Sequence, residues 1–226
     1  MTPTKPSTAA PPPSADQTRS ALIRAALKLF GAKGYDGAST REIAAAANAN
    51  IGSIAYHFGG KEGLRAACAS FIVDTIQAVA SQAFAADSGA PKGAAAATAQ
   101  LNAALERMVG FVVARPEAGE IVQFVLRELA HPTSALDTIY NGVFAPTHAR
   151  LCQIWAAATG EDAESDRTKI TVFTIIGQVI YFRIGREAVM RRMGWKNIGQ
   201  KEAGAVIAVV KDNLAAILAA RKGAKP

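Results

Sequence analysis

Ser53, Tyr56 and His57 stand at i, i+3 and i+4 in the stretch NANIGSIAYHFGGKEGL, Asn48–Leu64, and Lys61 follows close behind. On a helix this spacing gathers a hydroxyl, a phenol and an imidazole on one face. Such tips give and accept hydrogen bonds, and with a cation at the end they suit phosphates and base edges. Gly52 and Ala55 are small, which lets the backbone approach a sugar–phosphate wall. Ile51, Ile54 and Phe58, at i, i+3 and i+7, predict an opposite apolar face turned to a core. The glycine costs such a helix on the order of 1 kcal/mol, which tertiary packing can offset.

Three further helices must hold this one. Leu22, Ile23, Ala26, Leu27 and Phe30 form an apolar stripe, and Gly31 and Gly34 are expected to end that first helix. After the turn GYDGAS, Ser39-Thr40-Arg41-Glu42 fits the S-x-x-E capping box, so a second helix starts near Thr40. Asn48 tolerates the left-handed backbone of a tight turn, and Asn50 is a suitable N-cap for the helix Ile51–Phe58. Gly59-Gly60 breaks the chain, and a long fourth helix begins at Lys61 with Leu64, Ala67, Phe71, Ile72 and Ile76 on its stripe. Two short helices joined by a tight turn make a helix-turn-helix. The plain alternative is a helical hairpin with a solvated polar face.

The chain has 226 residues, half of them hydrophobic, and a formal net charge of +7. A basic balance favours an anionic partner, nucleic acid first and a membrane surface second. The two cysteines, Cys68 and Cys152, form no C-x-x-C or Cys/His cluster, so neither a metal site nor an oxidising compartment is expected. GGKEG falls short of a phosphate-binding loop, which needs glycine at Ala55 and Ser or Thr at Glu62. No G-x-S-x-G or H-E-x-x-H motif occurs, so no catalysis and no cofactor are expected. Residues 1–16 read as a disordered Pro-rich leader without a signal-like apolar core. The most apolar later run, Ile170–Ile184, carries Gln178 and Arg183 and is short for a membrane span. A cytoplasmic, nucleoid-associated protein with no membrane partner is the expectation.

Helical periodicity continues through Ala94–Ala114, Glu117–Ala130, Ser134–Phe144, Pro146–Thr159, Arg167–Arg192 and Gln200–Lys222. The fold class is therefore all-α, with about nine to ten helices. Residues 17–66 form an N-terminal helix-turn-helix domain, and 67–226 a helical ligand-sensing and dimerisation domain.

At this point the chain resembles the TetR family of one-component transcriptional regulators, strongly over Thr18–Phe71. The resemblance rests on Phe30, Gly34, Tyr35, Thr40, Ile43, Ala44, Ala47, His57, Phe58, Lys61 and Leu64. It departs at Asn48, where the family usually has glycine, and at Ala55, where a family tyrosine stands one place later as Tyr56. The resemblance implies double-stranded operator DNA as partner. Thr40 would bond a phosphate, Gly52, Ser53 and Tyr56 would face bases, and His57 and Lys61 would hold phosphates. Arg41 and Asn50 complete the expected set. Over Asp16–Arg65, seven Lys/Arg against four Asp/Glu leave a modest +3, so affinity would draw on two copies of the site.

The later segment LRELAHPTSALDTIYNGVFAPTHARL is similar to a CerR-type C-terminal domain. That implies a homodimer through the last two long helices, a palindromic operator, and repression relieved by a partly apolar small-molecule effector. Phe124, Arg127, Glu128, His131, Trp155, Gln178 and Tyr181 are the candidate effector contacts. The alternative reading is a basic helical interaction module, a dimeric scaffold or a membrane-surface binder without DNA sequence preference.

Overall fold

The computed structural model describes residues 14–84, 90–116 and 118–222. The expected Pro-rich leader falls largely outside them. Its last residues are helical: α1 (Ala15–Gly37) starts behind Ser14, whose Oγ accepts from the Gln17 N–H while Gln17 Oε1 accepts from the Ser14 N–H. Ser14 and Gln17 thus form an S-x-x-Q capping box ahead of the expected start of the domain.

Helical geometry breaks at Gly34, with φ 76°. Gly31, also expected to end the helix, lies inside it and faces α6 (Ala118–Ala130). A Cβ there would stand 3.1 Å from Gln123 Cβ and 3.2 Å from the Phe124 nitrogen, so this glycine serves close packing of two helices. α2 (Thr40–Ala46) opens with both halves of the capping box in place: Ser39 Oγ accepts from the Glu42 N–H, and Glu42 Oε2 from the Ser39 N–H. Asn48 takes φ 50° in the turn, as its residue type predicts. α3 (Gly52–Phe58) follows, then α4 (Lys61–Phe84), which runs unbroken past residue 66.

Gly59 and Gly60 both carry positive φ. Gly63 is tighter still, because a Cβ there would lie 1.8 Å from the Phe58 carbonyl oxygen. The end of α3 is therefore wedged against the first turn of α4, and that contact sets the angle between them.

α5 (Ala94–Val109) continues into a π-helical turn, Gly110–Ala114, just before Pro116. Arg183 donates from Nε to the Val112 carbonyl and from Nη2 to the Arg115 carbonyl, satisfying oxygens that the helix end leaves free. α7 (Ser134–Ile139) and α8 (Ala145–Thr159) were expected as separate helices and form one rod through a π turn at Tyr140–Phe144. Pro146 explains the turn: it has no N–H, and its ring would clash with the Gly142 carbonyl in a regular α-helix. With that rod as one, ten separate helices and no strand occur among the described residues. Conversely, the expected single helix Arg167–Arg192 is two, α9 (Asp166–Ile184) and α10 (Arg186–Met193), split at Gly185. α11 (Gln200–Lys222) closes the described chain.

Two buried clusters result. One joins Leu22, Phe30, Ile43, Ile54, Leu64 and Ile72 to Phe124 and Ile139. The other packs α5, α8, α9 and α11 around Trp155, Val109, Val210 and Leu214. Cys68 is a buried hydrophobe, and burial pushes its thiol up to about 12. Among the described residues, α11 is the one helix long and apolar enough to cross a membrane by length and composition. Its Ala203, Val206, Val210, Leu214 and Leu218 are buried in the second cluster.

Two predictions follow from these supports. Gly63→Ala should destabilise the fold by about 2–4 kcal/mol, since backbone rather than a flexible side chain must yield; urea unfolding followed by circular dichroism checks this. Glu42 is held at about 2 by its hydrogen bond from Lys33 and by the Ser39 cap, down from 4.5. A depressed carboxyl contributes stability above its unfolded pKa and loses it as pH falls through the folded one. The stability difference between wild type and Glu42→Gln should therefore be full above pH 4.5 and shrink towards pH 2 in acid-unfolding curves.

Candidate nucleic-acid interface

The outer face of α3 carries Tyr56, which is 83 % exposed, with Gly52 exposed and Ser53 and His57 half-buried beside it. The Tyr56 and His57 rings meet edge to face at 4.9 Å, which orders both tips. Ile54 is buried and Phe58 partly so, as the spacing predicts. Ile51 is 50 % exposed and does not face the core. It precedes the first full turn of α3, where the chain is still leaving the Asn48 bend, so the helical period does not yet place it.

Ile51 rather than Asn50 stands at the N-cap of α3, without a side-chain cap, and Asn50 Oδ1 one residue earlier accepts from the Gly52 N–H at 2.9 Å. One lone pair of that oxygen positions the helix, which leaves the second lone pair and the amide NH2 to meet a partner. Thr40 and Arg41 occupy the first turn of α2, half-buried and exposed respectively. The Glu42 carboxylate beside them is taken up by Lys33 at 2.7 Å.

Lys61 is not a free cation. Its ammonium lies 4.3 Å from the centre of the Tyr35 ring, and the Arg65 guanidinium lies 4.1 Å from the same centre. Arg65 is also paired with Glu62 at 2.7 Å. Burial and the Glu62 carboxylate raise the Tyr35 phenol above its usual value. The aromatic ring thus fixes the start of α4 while leaving the Lys61 N–H donors available. Arg19 of α1, which sequence spacing does not bring into the set, reaches across to lie 5.4 Å over the Phe58 ring. Only the crossing of α1 and α3 brings it there.

The candidate effector residues divide into three places. Phe124, Arg127, Glu128 and His131 line one cleft with Tyr35 and Arg65, between α1, α4 and α6. Phe124 is fully buried against Phe30, and Glu128 accepts from the Thr133 hydroxyl at 2.5 Å. Trp155 lines a separate apolar cavity of about 40 Å³, and its Nε1 donates to Glu161 at 2.9 Å. Gln178 and Tyr181 belong to neither cavity. Gln178 accepts from Asn213 at 2.9 Å, and Tyr181 is 59 % exposed on the outside of α9. Successive residues of a helix point about 100° apart, so their closeness in sequence to inward residues was no guide to direction.

Residues 22–68 match the family described as bacterial regulatory proteins of the tetR family, and residues 97–221 match the C-terminal domain of the HTH-type transcriptional dual regulator CecR. The subgroup is CecR rather than CerR. The chain is 35% identical over 187 residues to CecR of Shigella flexneri, covering 80% of this chain and 82% of that one. It is 35% identical over 135 residues to the regulatory protein RaaS of Mycobacterium tuberculosis, covering 59% and 61%. A TetR-like regulator from Rhodococcus sp. RHA1 shares the fold at TM-score 0.63 and 16% identity, over 91% of this chain and 99% of that one. AibR, solved with isovaleryl coenzyme A and operator DNA, does so at 0.63 and 17%, over 87% and 97%. With the helix-turn-helix in place and both halves matched, the chain belongs to the TetR family of DNA-binding transcriptional regulators, with a CecR-type C-terminal domain.

Proposed function

We propose that two copies of this chain bind a palindromic operator and repress transcription until a small molecule loosens them. The observation that carries the DNA side is the exposure of Tyr56 on a glycine-wedged α3 whose entry is held by the Asn50–Gly52 hydrogen bond. Tyr56 and Ser53 read base edges, Ile51 offers an apolar tip to a thymine methyl, and Thr40, Arg41, His57 and Lys61 hold phosphates.

The dimer is supported by α9. Ile170, Phe173, Tyr181 and Ile184 are 62, 60, 59 and 55 % exposed, at spacings that form one stripe about Gly177. On α11, Ala205, Ala208, Ala216 and Ala219 are exposed and small, which permits close helix approach, and Val209 adds an exposed apolar side chain. The Gln178–Asn213 hydrogen bond ties the two helices into one surface. A monomer rarely leaves such a surface to water. The two-fold operation that buries this surface sets two α3 helices side by side, about one helical turn of DNA apart or a multiple of it. For AibR, a ligand and operator DNA appear in one crystal, which supports a ligand-responsive reading of the shared fold.

Binding to DNA upstream of the protein's own gene, read by fluorescence anisotropy against a scrambled duplex, should favour the specific site by about 10³ or more. Tyr56→Ala should cost on the order of 1–3 kcal/mol on the specific duplex alone, whereas Lys61→Ala should weaken both duplexes and lower the salt slope by about 1. Equal binding of specific and scrambled DNA by the wild type would refute the reading. Replacing Ile170 and Tyr181 together by arginine should give a folded monomer in sedimentation velocity, with operator affinity lost; a dimer that persists would move the interface elsewhere.

A further inference from the structure

The seven basic residues between Asp16 and Arg65 meet different surroundings in the fold. Lys33 is paired with Glu42 and Arg65 with Glu62. Arg41 and Lys61 stand at the starts of α2 and α4 beside the outer face of α3. Arg24 and Lys28 are exposed on α1. Arg19 is exposed too, just past the first turn of α1, and among the described residues it pairs with no carboxylate. Asp16, one turn earlier, leaves it unpaired.

Helix phase sets where Arg19 stands. Leu22 and Ile23, three and four residues on, are buried in the first cluster, so Arg19 lies on the same side of α1, beyond the edge of that core. Arg24 and Lys28 lie about 140° and about 180° round the helix from it. The crossing of α1 over α3 then holds the Arg19 guanidinium 5.4 Å from the centre of the ring of Phe58, the last residue of α3. A guanidinium held by an aromatic ring keeps the N–H donors of its fork for another partner.

We propose that Arg19 is a phosphate clamp of the reading head, the unit made of α1–α3 and the start of α4, and that it grips the DNA strand beside the C-terminal end of α3. The proposal rests on reading α3 as the helix that enters the groove. Lys61 is held on the Tyr35 ring in the same manner, so two cations carried by aromatic rings flank the exit of α3. The His57 ring, 6.0 Å from Phe58 and 4.9 Å from Tyr56, joins that exit to the exposed phenol. Phe58 lies beyond Ser53 and Tyr56 along α3, so its cation meets the margin of the groove, where the sugar–phosphate wall stands rather than base edges. Guanidinium suits a phosphate there through paired N–H donors. The charge is carried by α1 and not by α3, so the contact ties a further helix to the duplex and helps to fix its register.

The test uses the full-length protein, with fluorescence anisotropy on the duplex from upstream of its own gene and on a scrambled duplex, over a series of salt concentrations. Arg19→Gln should weaken both duplexes by similar factors, on the order of tenfold at low salt, and should lower the slope of log affinity against log salt by about 0.9 for each copy bound. Arg19→Lys, which keeps the charge and loses the fork, should keep most of the slope. Lys28→Gln, on the far side of α1, should leave the slope at its wild-type value. Arg19 is exposed, and circular dichroism confirms that each variant folds. A folded Arg19→Gln protein with the wild-type slope overturns the proposal even if its affinity falls, because a side chain that only supports Phe58 does not change the number of counterions released. A slope lowered equally by Lys28→Gln also overturns it, since net charge would then suffice. Sequence preference is read separately. Wild type that binds both duplexes equally, with the slope lowered in Arg19→Gln, loses the operator reading and keeps the clamp. Wild type that prefers the specific duplex, with the slope unchanged in Arg19→Gln, keeps that reading and loses the clamp. Binding to neither duplex ends both.

Discussion

Gly31 lies close against the Gln123–Phe124 segment of α6, and one turn of helix further on the helical geometry of α1 breaks at Gly34. This close approach is the contact on which the rest of the molecule turns. It brings Phe30 against Phe124, so that the helix-turn-helix and the following helices share a buried cluster. It also brings the carbonyls of Gly31 and Ala32 within reach of Arg127. A Cβ at position 31 would require this packing to give by a few tenths of an ångström. α4 forms the second connection: Gln77 donates to the Gly142 carbonyl at 3.0 Å, and Gly142 leaves room for Val73. The reading head is thus held at two points, by α1 and by α4, and both points lie on helices that reach α3 directly.

The reading head itself is shaped by backbone more than by side chains. α3 is only seven residues long, too short to be stable by itself. Asn48 and Asn50 set its entry, and Gly59, Gly60 and Gly63 set its exit. With both ends fixed, the small residues Gly52 and Ala55 cost little, and their smallness is free to serve close approach to DNA. Tyr35 completes the arrangement by anchoring Lys61 and Arg65, so the first turn of α4 is ordered before any phosphate arrives. Order in place before binding lowers the entropy lost on binding.

The opposite end of the molecule shows a different balance. Burying one large apolar side chain contributes about 1.5–3 kcal/mol, and α9 leaves four of them in water. In the proposed dimer, the cost borne in the single chain is recovered when a second copy covers them. The Ala-rich outer side of α11 is consistent with that: small side chains add little burial but let helix axes come near. The same sparseness makes α11 apolar enough to resemble a membrane span by composition, although Val206, Val210, Leu214 and Leu218 are buried in the second cluster.

Local signals determined most of the N-terminal architecture. Capping boxes, an asparagine suited to a left-handed turn and paired glycines are read within a few residues, because each satisfies backbone groups or φ values that are themselves local. The same holds for the family pattern and the all-α class. What the sequence could not decide were directions and distances between helices. Gly31 looked like a helix end because glycine is both a breaker and a spacer, and only α6 reveals which. Pro146 looked like a boundary because the π turn that absorbs it has no sequence signature. Gln178 and Tyr181 were grouped with Phe124 and Arg127 by chemistry, yet helix phase sends them to the opposite surface. Lys61 and Arg127 are ordinary basic residues until tertiary packing sets one on the Tyr35 ring and the other on the carbonyls of α1. Periodicity fixes which residues share a face; only the packing of one helix on another decides what that face meets.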